Sequence, residues 1–149
     1  MKNIRMNVGG LELRGRLDDT SLAEQVWRAL PCESHGETWG KEVYFPIDLR
    51  VENTRPVEEV DVGDIAYWPE GPDLCIFFGS TPKSTDDRPV VASPVTVIGT
   101  FRFTPQDFDT IRRERRGIPV RVAQMEADAA EESGLPASVD ASSGDNDKQ

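Results

Sequence analysis

The sequence predicts a mainly β fold: a closed antiparallel barrel with two capping α-helices, followed by an acidic tail. Three observations predict it. Two short apolar runs, Ile65 to Trp68 and Leu74 to Phe78, flank a Pro/Gly-rich turn and carry almost no charge, as central strands of a hairpin do. Several further segments alternate apolar and polar residues with period two. Just two stretches carry helix-start signals, and each sits between strand-like segments, so the helices read as lids on a sheet rather than a layer of their own.

Along the chain, Ile4, Met6 and Val8 alternate with polar neighbours, Gly9-Gly10 supplies a tight turn, and Leu11, Leu13 and Leu17 resume the alternation. Ser21 reads as an N-cap, with Glu24 three residues on completing a capping box. Leu22, Val26, Ala29 and Leu30 then share one helix face, with Trp27 on its border, until Pro31 stops the segment. That helix should lie across an open end of the sheet. A loop through His35-Gly36 is expected next, then a strand from Lys41 to Ile47 in which Val43, Phe45 and Ile47 oppose Glu42 and Tyr44. Pro46 puts it at an edge or bulge. Asp48 to Glu52 extends or pairs with it, and Asn53 to Pro56 is a turn.

Gly79 to Pro94, with four Gly or Pro positions and the charges Lys83, Asp86, Asp87 and Arg88, reads as a surface loop. Val95 to Phe103 is a long strand whose Gly99 marks a bend or bulge. Thr104-Pro105-Gln106-Asp107 opens a second helix with an N-cap, a proline at the first helical position and an acid in the first turn. This helix is expected to run to about Arg116 and stop at Gly117. Ile118, Val120 and Val122 form a last strand placed to close the barrel against the first.

Composition limits the functions available. The chain has 149 residues, enough for one ordinary domain, here residues 1–125, plus a tail, 126–149. The net charge is −10, and the tail holds seven of the 27 acids against Lys148 alone, without periodicity, as a disordered segment does. Such a balance opposes phosphate-backbone binding, and Arg112 to Arg116, interrupted by Glu114, suits a solvated helix end better than a nucleic-acid patch. Only four of the 17 basic residues are lysines. A salt-rich cytoplasm explains an acidic, lysine-poor chain; a GC-biased genome with an acidic tail explains it as well. Cys32 and Cys75 read as isolated reduced thiols. No signal-peptide core follows Met1 and no run approaches a membrane span, so a cytoplasmic protein is expected. His35 lacks the converging ligands of a metal site, and no phosphate loop, nucleophile elbow or cofactor motif is present.

Four motifs in order, Thr38 to Phe45, Gly63 to Pro69, Leu74 to Pro82 and Ser93 to Gly99, make the chain resemble a compact, atypical cyclophilin-like family of archaea and bacteria, over roughly Ile4 to Ala123. The resemblance implies a barrel that binds on the outer face of its sheet, in a superfamily that includes peptidyl-prolyl isomerases. Rotating an X-Pro amide meets a barrier of about 20 kcal/mol, which such enzymes lower with an apolar trough and a donor, usually arginine, to the prolyl nitrogen. In this chain the resemblance sets Phe45 at the arginine position, Ile76 at that of a glutamine and Val95 near that of a histidine, while Phe78 keeps the apolar floor. A substitute donor would have to be Arg50 or Arg88.

The candidate site is therefore a trough of Glu42, Tyr44, Phe45, Tyr67, Trp68, Ile76, Phe78 and Arg88, taking a peptide or small molecule. The competing expectation is packing, because Ile76 and Phe78 share one side of their strand and Cys75 and Phe77 the other, and one set must be core. Trp39 is expected over the barrel end. Glu42 and Asp64 are possible acid–base groups, although Gly63-Asp64 is also ordinary turn chemistry. Three functions follow: a binding module lacking the isomerase arginine; a noncanonical isomerase or other amide-directed enzyme; and a partner protein docking through its tail or the 79–94 loop.

Overall fold

The computed structural model describes residues 2–51, 55–113 and 116–125. Nine strands and two helices follow in the order β1 Lys2–Val8, β2 Leu11–Leu17, α1 Ser21–Arg28, β3 Cys32–Trp39, β4 Glu42–Pro46, β5 Val57–Glu59, β6 Asp64–Trp68, β7 Asp73–Phe77, β8 Val90–Arg102, α2 Pro105–Ile111 and β9 Arg116–Gln124. Every pairing is antiparallel, in the order β2-β1-β9-β3-β4-β7-β6-β8, and β2 pairs with β8 to close the ring of eight. Closure leaves no edge in that ring to recruit another strand. Short β5 lies outside it, alongside the first half of β8.

The barrel interior collects the inward residues of each strand, among them Ile4, Met6, Leu13, Val43, Phe45, Ile65, Tyr67, Ile76, Ile98 and Val120, all at most 3 % exposed. Both helices contribute to the same core, α1 through Leu22, Ala23 and Val26, and α2 through Phe108 and Ile111. Phe78 packs in an aromatic cluster with Phe101, Phe103 and Phe108, at centroid separations of 5.0, 4.9 and 5.2 Å. Gly99 sits close against the β2 backbone. A Cβ there would collide with the Arg16 carbonyl, and the pairing with β6 shifts register at this point, giving the expected bulge.

Five sequence expectations change. First, Thr20, not Ser21, caps α1: its backbone is extended and its hydroxyl accepts from the Ala23 amide at 3.2 Å. Glu24 instead pairs with Lys2 at 2.8 Å and Arg28 at 3.2 Å. Second, Cys32–Trp39 is strand β3, not a loop through His35-Gly36. Its polar residues earn a place in the ladder because two partners, β9 and β4, satisfy its backbone groups. Third, Asp48 to Val51 is not a strand; Tyr67 holds it, donating to the Leu49 carbonyl at 2.8 Å and accepting from the Val51 amide at 3.0 Å. Residues 52–54, part of the expected extension and turn, lie outside the described residues.

Fourth, β8 begins at Val90, so the final third of the expected 79–94 loop is strand. Finally, α2 ends at Ile111. Gly117 does take a left-handed conformation, φ +68°, but within β9, where Glu37 faces Arg116 and Gly36 faces Ile118, so that Gly117 is the extra residue of a bulge. Glu114, Arg115 and the acidic tail from Glu126 lie outside the described residues. No helix among those described is long and apolar enough to cross a membrane.

Candidate functional site

Alternation along β4, β7 and β6 decides which side chains can meet a ligand. Val43 and Phe45, Leu74 and Ile76, and Ile65 and Tyr67 point into the barrel core. Glu42 and Tyr44, Cys75 and Phe77, and Ala66 and Trp68 point outward. The outward face is not bare: Val60, Val91 and Val95 cover it and form a second apolar cluster with Ala66, Cys75 and Phe77. Where that cover is incomplete, a cavity of about 190 Å³ opens between the barrel and the first half of β8.

Trp39, Tyr44 and Trp68 wall the cavity, Glu42 and Cys75 line it from the barrel side, and Val91, Ala92, Ser93 and Val95 line it from β8. Trp39 and Glu42 are cross-strand partners on either side of the Gly40-Lys41 turn, which sets the indole beside the carboxyl. Two rings are held by hydrogen bonds. The Trp68 indole donates to Ser93 Oγ at 2.6 Å, and the Tyr44 hydroxyl donates to Glu37 Oε1 at 3.1 Å.

Glu42 is the one carboxyl among the described lining residues. Burial pushes the Glu42 carboxyl up to about 7; the Cys75 thiol bonded to it opposes that rise, and the nearby Asp73 charge adds to it. Asp73 is itself raised, by burial and then by Glu37. Tyr44 is raised by burial and by the acids around it, Glu37 foremost. Among the described residues no lysine or arginine pairs with Glu37, Glu42 or Asp73. The Cys75 thiol is driven well above its ordinary range by burial and by Glu42, which is the wrong direction for a nucleophile. Near neutral pH the Glu42 carboxyl is divided between two forms, one donating and accepting a hydrogen bond, the other a buried anion.

The eight residues expected to form one trough thus divide. Glu42, Tyr44 and Trp68 meet at the cavity, whereas Phe45, Tyr67, Ile76 and Phe78 lie in the barrel core, at most 5 % exposed, because they occupy the opposite parity of their strands or pack under α2. Arg88 is on an exposed loop, its guanidinium 3.4 Å from Asp61. Trp39 lines the cavity instead of covering a barrel end. Asp64 performs turn chemistry, its carboxylate accepting from the Asp61 amide at 2.8 Å. The positions that the resemblance gave to the isomerase arginine and glutamine, Phe45 and Ile76, face inward; Val95, near the histidine position, does line the cavity. Arg50 is exposed and, like Arg88, lies outside the lining. Sequence reasoning missed Cys75 and the β8 side of the lining, Val91, Ala92, Ser93 and Val95. The parity of Cys75 with Ala66 and Trp68 was a signal for the first; the β8 residues had none.

Among the described residues no group of three or more His, Cys, Asp or Glu side chains could hold a metal ion. Cys32 and Cys75 are both free thiols, the first half-buried and the second buried.

The closed antiparallel ring, its two helices and the cavity on its outer face agree with the resemblance to cyclophilin-like barrels. The cyclophilin-like family model matches residues 2–123, and the chain belongs to that family. Among solved structures it is similar to the solution structure of a hypothetical protein from Archaeoglobus fulgidus, with 29 % identity and a TM-score of 0.66 over 83 % of this chain and 95 % of that one. No curated protein matches it.

Proposed function

We propose that this protein is a binding module whose outer cavity takes one side chain of a peptide, or a small molecule of that size, without acting as an arginine-dependent prolyl isomerase. The observation that carries this reading is the cavity itself: three aromatic walls, two of them fixed by hydrogen bonds, around one buried carboxyl. Rings held in place before binding lose little freedom on contact with a ligand, which favours affinity. No arginine is among the described lining residues, which supports a reading that does not depend on the isomerase donor.

A noncanonical isomerase or other amide-directed enzyme is the second reading, and Glu42 favours it. A carboxyl with a pKa of about 7 is partly protonated at neutral pH and can donate to a prolyl nitrogen where arginine is missing.

The test combines NMR titration with proline-containing peptides and exchange spectroscopy of the X-Pro bond in the same samples. Binding predicts shifts at Trp39, Tyr44 and Trp68, weakened at least about tenfold in Trp68→Ala, with no faster exchange. Accelerated exchange that declines as pH rises through 7 and disappears in Glu42→Gln would replace the binding reading with the catalytic one.

A further inference from the structure

The same cavity carries an inference about its occupant, and it rests on the binding reading above. We propose that the cavity is a site for an alkylated ammonium group, enclosed by the rings of Trp39, Tyr44 and Trp68 and paired with the Glu42 carboxylate.

Four features point to that chemistry. The faces of tryptophan and tyrosine rings attract cations through their quadrupoles, most strongly where water is excluded. Three such rings converge on a space of about 190 Å³, which fits a headgroup and excludes a folded chain segment. Glu42 is only 7 % exposed, and its partner among the described residues is the Cys75 thiol, a weak donor. A carboxylate buried so deeply is costly unless a cation reaches it, and none of the described lysines or arginines does. Finally, Val91 and Val95 give the cavity an apolar wall suited to alkyl substituents, while the strongly hydrated head of an unsubstituted ammonium would find few partners there.

The charge balance adds a proton to the reaction. Around Glu42, β3 contributes Glu37, β4 contributes Tyr44, β7 contributes Asp73 and Cys75, and the facing part of β8 contributes only the neutral Ser93. Lys41, next in the chain, lays its aliphatic stem against Gly79. In the empty protein the carboxyl is protonated below a pH of about 7, and a bound cation stabilises the anion. Cation binding therefore releases up to one proton and tightens as pH rises through that value.

The experiment uses the full chain and two matched probes: choline chloride and 3,3-dimethylbutan-1-ol, its uncharged carbon isostere. Isothermal titration gives affinities at pH 6 and pH 8, and indole and phenol NMR signals locate the contact. We expect choline to bind at least about tenfold more tightly than the alcohol at pH 8, with shifts at Trp39, Tyr44 and Trp68. Its affinity should fall about tenfold between pH 8 and pH 6. Glu42→Gln, whose fold is checked by circular dichroism, should abolish both the preference and the pH dependence, and Trp68→Phe should weaken choline while keeping the pH dependence. Equal or tighter binding of the alcohol overturns the ammonium assignment and leaves the binding reading intact. If neither probe moves those signals, the ammonium assignment falls; if proline-containing peptides also leave them unmoved, the binding reading falls with it.

Discussion

The inner and outer faces of β4, β7 and β6 are built from the same short apolar strands, yet one is a closed core and the other holds a cavity. On the inner face every large side chain packs against another, and the one polar group, the Tyr67 hydroxyl, has both its partners in the 48–51 segment. On the outer face the apolar cover is partial, and its carboxyls pair with no lysine or arginine among the described residues. A face fully satisfied from within the chain contributes stability; a face left with polar groups and space for a partner is fitted for binding, at some cost in stability. Neighbours on β4 put this contrast to its sharpest test. Phe45→Ala should lower unfolding free energy by about 3–5 kcal/mol in urea denaturation, because a large interior ring leaves a cavity. Tyr44→Ala should cost less, about 1–2 kcal/mol for a half-buried ring and one exposed hydrogen bond, while weakening any ligand. Comparable losses at the two positions would mean that the outer face is structural as well.

The next largest effect separates the faces by pH. Glu42 has a folded pKa raised from 4.5 to about 7, so the folded protein holds this proton more tightly than the unfolded chain does. The carboxyl therefore adds nothing unfavourable below about pH 4.5, and it destabilises the fold progressively as pH rises through 7. Integrated over that window the loss reaches up to about 3 kcal/mol. Between pH 5 and pH 8 the unfolding free energy should fall in the native protein, and fall by about 2–3 kcal/mol less in Glu42→Gln. No inner-face substitution should change this slope, since the inner faces of these three strands carry no titrating carboxyl.

Most of the barrel was legible because its signals are local. Gly9-Gly10 and the Pro69 to Pro72 turn mark hairpins, Thr104-Pro105 opens a helix, and the alternation at Ile118 to Val122 gives the closing strand. The polar β3 was not legible: Glu33, Ser34, His35 and Glu37 carry no strand propensity, and pairing with β9 and β4 overrides them. The site was half legible for a different reason. With apolar residues on both faces of β7, Leu74-Cys75-Ile76-Phe77 gives no phase, so parity alone could not say whether Ile76 or Cys75 faces the core. Glu42 breaks that symmetry only once the strands are paired. In the structure its parity with Tyr44 sets both outside the core, in which a carboxyl is rarely placed, and the β3–β4 turn brings Trp39 to the same face. What covers that face, Val91 and Val95, is set by the long return of β8, which no local pattern encodes.

The smallest expected effect concerns the rim. The loop from Thr81 to Val90 is pinned by side chain to backbone bonds: Thr81 Oγ1 donates to the Val90 carbonyl at 2.6 Å, and Ser84 Oγ accepts from the Thr81 amide at 2.9 Å and donates to the Arg88 carbonyl at 2.6 Å. The Arg88 side chain, by contrast, reaches only an exposed Asp61 at 3.4 Å. Arg88→Ala should change stability by less than about 0.5 kcal/mol, as for most exposed ion pairs, and leave ligand affinity unaltered. Ser84→Ala removes both bonds to the loop and should cost about 1 kcal/mol, with added mobility at Val91 and the adjoining wall of the cavity. Denaturation curves and peptide titrations of the two variants side by side check this. A loss of affinity in Arg88→Ala would extend the binding surface from the cavity onto the loop and restore a guanidinium to the site.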